Sequence, residues 1–298
     1  MSDGPVFVGG LAFSGKTPLR LALTAHPRIA MTRHTAMWSR YHERFGDLSR
    51  PVNLDRCLAA MLDDPHIARL DPDGPRLERE FRQGPSTYAR LFDLLHTQHA
   101  QRLGKSRWGD QMGLLEQYAD LVLTAYPTAQ MIHMVRDPRT RHAAGASRHR
   151  QMPGRLGWET ARWRHSADLA TRNQRHYPGR YLVVRYEAFC AQPEAILRDV
   201  VGFLGEDYSP AMLKALADVT LDDQLRRARL SQEQQRAVAA FVERYARRQL
   251  LAYEYPVDRP SRTRLGPSFY LVDLPCNRAG IAAWRMVRSV GRSSTEVL

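Results

Sequence analysis

No apolar run in the 298 residues approaches the ~20 that a membrane-spanning helix needs. Cysteine is scarce. Cys57, Cys190 and Cys276 stand far apart without paired spacing, which argues against a disulfide framework or a cysteine metal cage and fits a reducing, cytoplasmic setting. Lysine is scarcer for a chain so basic: Lys16, Lys105 and Lys214 are three of 44 basic residues. No stretch interleaves basic and aromatic residues as a nucleic-acid surface does, so nucleic acid is not expected as a partner. The opening MSDGPVFVGG carries an acid and no basic segment, so no signal peptide is expected. No internal repeat or low-complexity linker divides the chain.

What is present is positive charge and enough apolar matter for a core. The formal net charge is +13, and 43% of residues are hydrophobic, which suits one large α/β domain with an anionic partner. Val6-Phe-Val8 is a short apolar run entering a glycine turn. The segment Ser14 to Ala25 then carries helix-spaced apolar residues and stops at His26-Pro27. This is strand, glycine loop, helix. The loop, Gly10-Leu-Ala-Phe-Ser-Gly-Lys-Thr17, fits G-x-x-x-x-G-K-[ST], the phosphate-cradling P-loop pattern. Ala129–Val135 and Tyr181–Val184 read as two further buried strands. Helices are expected near 54–63, over 88–103, 114–125, 157–175, 193–204 and 232–251, and after an Asp137-Pro138 start. Residues 28 to 85 give little pattern otherwise. Strands alternating with helices predict a P-loop NTPase-like, three-layer α/β/α fold with a central parallel sheet flanked by helices.

A P-loop serving Mg-ATP needs a second apolar strand ending in Asp or Glu to hold the metal. Neither later strand ends so. MIHMV runs into Arg136 and YLVV into Arg185, each at the edge where such sheets bind ligands. Arginine repels a metal and takes phosphate bidentately. The expected site is therefore metal-free, with a second anion position away from the glycine loop.

These residues resemble the sulfotransferases that use 3′-phosphoadenosine 5′-phosphosulfate (PAPS), in their tyrosylprotein-like and broad bacterial branch. Four blocks carry the resemblance in the family's order: residues 6–27, residues 107–139, the helix through Ser147 and Arg148, and residues 181–205. The resemblance implies that Ser14, Gly15, Lys16 and Thr17 hold the 5′-phosphosulfate. It implies that Arg136, Ser147, Arg148 and Tyr186 lie around the 3′-phosphate and the nucleotide. The family cation at position 13 is replaced by Phe13, and Lys16 is read as its displaced substitute. The family serine eight residues after Arg136 is replaced by Ala144, so Ser147 is read in its stead. The position of the branch's general base, counted from His26, falls on His34, with His42, Glu43 and Asp110 in reserve. Gln111 stands where a lysine is usual. Trp108 is read as core, and Arg185 and Glu187 as a local pair.

The activity so implied is transfer of a sulfuryl group from PAPS to a hydroxyl acceptor, by metal-independent in-line transfer with a general base, leaving 3′-phosphoadenosine 5′-phosphate (PAP). Lys16 and His34 are the catalytic pair. Two other readings stay open: a P-loop kinase using Mg-ATP, suggested by GLAFSGKT itself, and a degenerate nucleotide-binding protein of the same fold, suggested by Phe13, Gln111 and Ala144. The partners expected are the nucleotide donor and a hydroxyl-bearing acceptor whose class and whose assembly with this chain the sequence leaves open. Residues 1–260 are read as the catalytic domain and 261–298 as a C-terminal extension. Its Ile281–Val290 stretch is basic and weakly amphipathic, fitting either a helix packed on the domain or peripheral contact with a membrane.

Overall fold

The computed structural model describes residues 4–146, 152–217, 219, 230–257 and 265–293. Five strands form one parallel sheet: β1 (Val6–Gly9), β2 (Ile29–Arg33), β3 (Arg107–Gln111), β4 (Gln130–Val135) and β5 (Tyr181–Arg185), in the order β2-β3-β1-β4-β5. All pairings are parallel, so every strand ends on the same edge. The strand alternation separates two cores. Phe7 and Met131 face a layer that includes the helices Pro51–Leu62, Gly74–Arg82, Tyr88–Arg102 and Ala119–Ala125. Val6, Val8, Ile132 and Met134 face the helices Lys16–Thr24, Tyr186–Ala191 and Pro193–Leu204. The architecture is the three-layer α/β/α sandwich that the alternating pattern predicts.

Two of the five strands escape a sequence reading: β2, whose apolar part is only Ile29-Ala-Met31, and β3, which carries no apolar run. RWGDQ is nonetheless buried along its whole length, because Arg107, Trp108 and Asp110 find partners inside. Arg107 donates to Gly4 O at 2.6 Å and Leu204 O at 2.8 Å, and pairs with Glu206 at 3.1 Å. Asp110 accepts from Thr32 at 2.7 Å and Thr35 at 2.5 Å. Trp108 lies in the core, with its indole N–H on Asp93 at 2.8 Å. The expected helix over 114–125 is broken: Leu114 sits at φ 59°, a 3-10 turn covers Leu115–Gln117, and the helix proper is Ala119–Ala125.

A third core joins the helices Arg155–His176 and Gln232–Ala252 around Trp163 and Phe241. Against the first of these lies the C-terminal helix Leu274–Ser293. Gly157 makes the approach possible: a Cβ there would stand 1.9 Å from Asp273 O. Its N–H reaches Asp273 Oδ1 at 3.0 Å, and its carbonyl accepts from Asn277 at 3.0 Å. Among the described residues, no helix is long and apolar enough to cross a membrane.

Candidate active site

The glycine loop leaves β1 and closes onto the helix Lys16–Thr24 through Gly15, at φ 91°. Only glycine fits here, since a Cβ would stand 2.0 Å from the Tyr186 ring. No side chain caps this helix, and no acid occupies its first turn. Its leading N–H groups are therefore left without a side-chain partner at the sheet edge, the arrangement that suits an anion. Thr17 is exposed there, whereas Ser14 is 2% exposed and its hydroxyl has no hydrogen-bond partner.

Arg136, at the end of β4, is fully buried and binds the loop itself: Nη1 donates to Phe13 O at 3.0 Å and Nε to Thr140 at 3.2 Å. The guanidinium lies 4.8 Å from the Tyr186 ring centre, and Tyr186 is itself fully buried. Loop, arginine and tyrosine form one packed unit, with the aromatic ring pinned between Gly15 and Arg136. Phe13 holds its backbone at φ 65°, a conformation costly for a bulky side chain and tolerated where the surroundings enforce it.

Lys16 folds back under the loop, with Nζ on Gly10 O at 2.5 Å. Burial pushes its ammonium down to about 8; Glu116 opposes the fall, and Arg162 and Arg141 add to it. Arg141 is 4% exposed, and burial lowers its guanidinium to about 10. With Ser14, His133, Arg136 and Ser166 it lines a cavity of about 10 Å³ beneath the loop. Behind it, Arg141, His142 and Arg155 converge on the single carboxylate of Glu159. Burial opposes that charge, yet the His142 hydrogen bond and the Arg141 and Arg155 guanidiniums hold the carboxyl down to about 2. Lys16, Arg136, Arg141 and Arg162 thus gather around the glycine loop, the cationic setting an anion site uses.

His34 follows β2 on the same edge. It is exposed, at φ 60°, and its N–H reaches Gln111 O at 3.4 Å. Partial burial lowers its imidazole below the ordinary value, with Arg33, His66 and Lys16 adding and Asp110 opposing. A neutral imidazole near neutral pH is a competent base. Gln111 lies between His34 and the glycine loop, since β3 pairs with both β2 and β1. It is 5% exposed, and its Oε1 lacks a partner.

The structure thus brings Ser14, Gly15, Lys16, Arg136 and Tyr186 into one cluster, with Thr17 on its rim and His34 across the edge. Ser147 and Arg148 lie outside the described residues. Of the reserve bases, Asp110 is taken up by two threonines. His42 and Glu43 line a separate cavity of about 550 Å³ with Trp38 and Tyr88. Arg185 does not pair with Glu187. It turns outward to Glu254 at 3.3 Å, over the Tyr255 ring, while Glu187 accepts from Asp137 N and the Tyr255 hydroxyl. Arg136 therefore serves the edge without Arg185. Sequence reasoning missed Glu116, Arg141 and Arg162. Arg141 alone left a signal, five residues after Arg136 on the helix Pro138–Ala146. Among the described residues, no three His, Cys, Asp or Glu side chains gather as metal ligands.

The profile described as "Sulfotransferase family" matches residues 5–210. Solved structures share the fold. The sulfotransferase domain of the Synechococcus PCC 7002 olefin synthase aligns at TM-score 0.53 and 21% identity, over 86% of this chain and 97% of its own. The sulfotransferase domain from the curacin biosynthetic pathway aligns at TM-score 0.53 and 14% identity, over 86% and 99%. A sulfotransferase from Alicyclobacillus acidocaldarius aligns at TM-score 0.50 and 18% identity, over 86% and 98%. No curated protein matches.

Proposed function

We infer, for a chain that belongs to the sulfotransferase family, an enzyme that transfers the sulfuryl group of PAPS to a hydroxyl acceptor. One observation carries the reading: an uncapped helix amino terminus, the half-buried Lys16 and the buried Arg136 meet at one glycine loop. The orphaned Ser14 hydroxyl and Gln111 Oε1, on the same edge, are polar groups that a bound donor and acceptor would satisfy.

PAPS supplies an activated sulfuryl group and a phosphate leaving group. Each residue then has a separate task. The first-turn N–H groups of Gly15, Lys16 and Thr17 bind the 5′-phosphosulfate. Lys16 stabilises the negative charge that develops on the departing phosphate. Arg136 holds the loop in its binding conformation through Phe13 O and, with Tyr186, presents a cationic face to the nucleotide. His34 takes the proton of the acceptor hydroxyl as the new bond forms. Gln111 offers an amide where a cation is usual, so the charge work rests on Lys16 with Arg141 and Arg162 nearby. Ser147 and Arg148 are assigned to the 3′-phosphate on the family pattern alone. Neither a Mg-ATP kinase nor a non-catalytic nucleotide binder is favoured by the family match.

The C-terminal segment 261–298 is read as an extension of the 1–260 domain. Asp273 and Asn277 are already spent on Gly157, which favours a packed helix over a membrane-surface one.

The test is thermal unfolding with PAP against Mg-ATP. Ligand at about 100 times its Kd adds about 2.7 kcal/mol. At about 2–4 °C per kcal/mol for a chain this large, PAP raises Tm by roughly 5–10 °C. Stabilisation by Mg-ATP and not by PAP overturns the reading.

A further inference from the structure

Glu116 has no task in the transfer just described, yet it is among the most deeply buried carboxylates in the molecule, 1% exposed. It belongs to the 3-10 turn after β3. Leu115 beside it packs on Gly9, where an added Cβ would stand 2.7 Å from the leucine Cβ, and Gly9 pairs in register with His133. The Glu116 side chain thus lies under the start of the glycine loop. Its Oε1 accepts from the Ser166 hydroxyl at 2.6 Å, and its Oε2 has no hydrogen-bond partner. A buried charge in that position needs a counter-charge.

His133 is close to it, with Nδ1 3.9 Å from Oε2. Burial lowers its imidazole below the ordinary value, with Glu116 opposing and Lys16 adding to the fall, so it is neutral at physiological pH. Its Nδ1 is already in contact with the Tyr181 hydroxyl at 3.0 Å. The Lys16 ammonium also lies at this place, tied to Gly10 O one residue from Gly9.

We propose that Glu116 is a positioning residue for the sulfuryl-transfer site: its buried carboxylate is the counter-charge that keeps the Lys16 ammonium charged and seated within the glycine loop. The groups facing Lys16 make the need plain. Arg141 comes from the helix after β4, Arg162 from the helix Arg155–His176, His133 from β4 and His34 from the end of β2. The two arginines push the ammonium toward its neutral form, and the two histidines are uncharged near neutral pH. Among the described residues, Glu116 is the carboxylate that opposes them. A lysine with a midpoint of about 8 is about three-quarters charged at pH 7.5. A nearby opposite charge is worth roughly 1 pK unit. Without Glu116, Lys16 would be mostly neutral at the pH where it is needed. The proposal rests on the reading of Lys16 as the loop cation for its functional consequence, but its test needs no donor.

The chain has three lysines, so labelling lysine Cε gives three NMR signals, assigned with Lys105→Arg and Lys214→Arg. Titrated in the full-length protein, the Lys16 midpoint is expected near 8, to fall by roughly 1 unit in Glu116→Gln, and to return toward the parent value in Glu116→Asp. A purely structural role predicts the opposite ranking, with isosteric Gln benign and shorter Asp damaging. An unchanged midpoint in a folded Glu116→Gln overturns the proposal. If Glu116→Gln does not fold, the double variant Lys16→Met/Glu116→Gln decides: restored folding supports the pairing, and continued failure overturns it. Saturating PAP in the parent protein should raise the midpoint, because an anion then faces the ammonium. Failure of that arm alone counts against donor binding by Lys16 and leaves the Glu116 pairing standing.

Discussion

Replacing Gly15 with alanine sets two penalties against each other, and the structure allows them to be separated. The first is conformational: a φ of 91° costs an L-residue about 1–2 kcal/mol. The second is steric. The new Cβ falls 2.0 Å from the Tyr186 ring, which cannot yield because it is fully buried against Arg136. Overpacking of this kind costs about 1–3 kcal/mol. The single change should therefore cost about 2–5 kcal/mol, measured as a shift of the urea midpoint at unchanged m-value. Tyr186→Ala alone should cost about 3–5 kcal/mol through the cavity it leaves. In the double variant the steric part vanishes and only the conformational part remains, so the two changes should couple by about 1–3 kcal/mol. If they add to within about 0.5 kcal/mol, the ring does not press on the loop and the packed unit described here is wrong.

Arg136→Lys keeps the charge but loses the fork that spans Phe13 O and Thr140. PAP binding by calorimetry should weaken about tenfold, about 1.4 kcal/mol, and unchanged affinity contradicts the anchoring role. His34→Ala should leave PAP affinity intact and lower turnover by about 10²–10⁴-fold. The lowered imidazole fixes the sign of the acid limb of the pH profile: the base is neutral throughout the range above its ordinary value, so on that side turnover holds at pH 6.5 and falls below it. Arg107→Ala strips the buried partner from Glu206 and from two carbonyls. It should cost about 3–5 kcal/mol and lower Tm by roughly 10 °C, read by calorimetric unfolding.

The strands that the sequence reveals are those whose burial is written in composition: VFV, QMIHMV and YLVV. IAMTR and RWGDQ are equally part of the sheet, but the polar residues of β3 are buried because partners from other parts of the chain satisfy them. Asp110 waits on Thr32 and Thr35, and Arg107 on Gly4 and Glu206, contacts 75 or more positions away along the chain. The same division runs through the site. Lys16 and Arg136 were legible because a local pattern marks each of them: a glycine loop, and the end of an apolar strand. Glu116, Arg141 and Arg162 join the site only when a 3-10 turn and two later helices pack beneath the loop. Arg185 shows the converse error. It has the same local pattern as Arg136, but Glu254 and Tyr255 draw it away from the edge.

The central claim is that this site moves a sulfuryl group. It is tested most directly by supplying sulfur-labelled PAPS with a panel of phenols, aliphatic alcohols, glycans and tyrosine peptides, and following both label and PAP. Labelled product forming in step with PAP, and lost in Lys16→Ala, is the predicted result. Tight PAP binding with no label transferred to any member of the panel would contradict it.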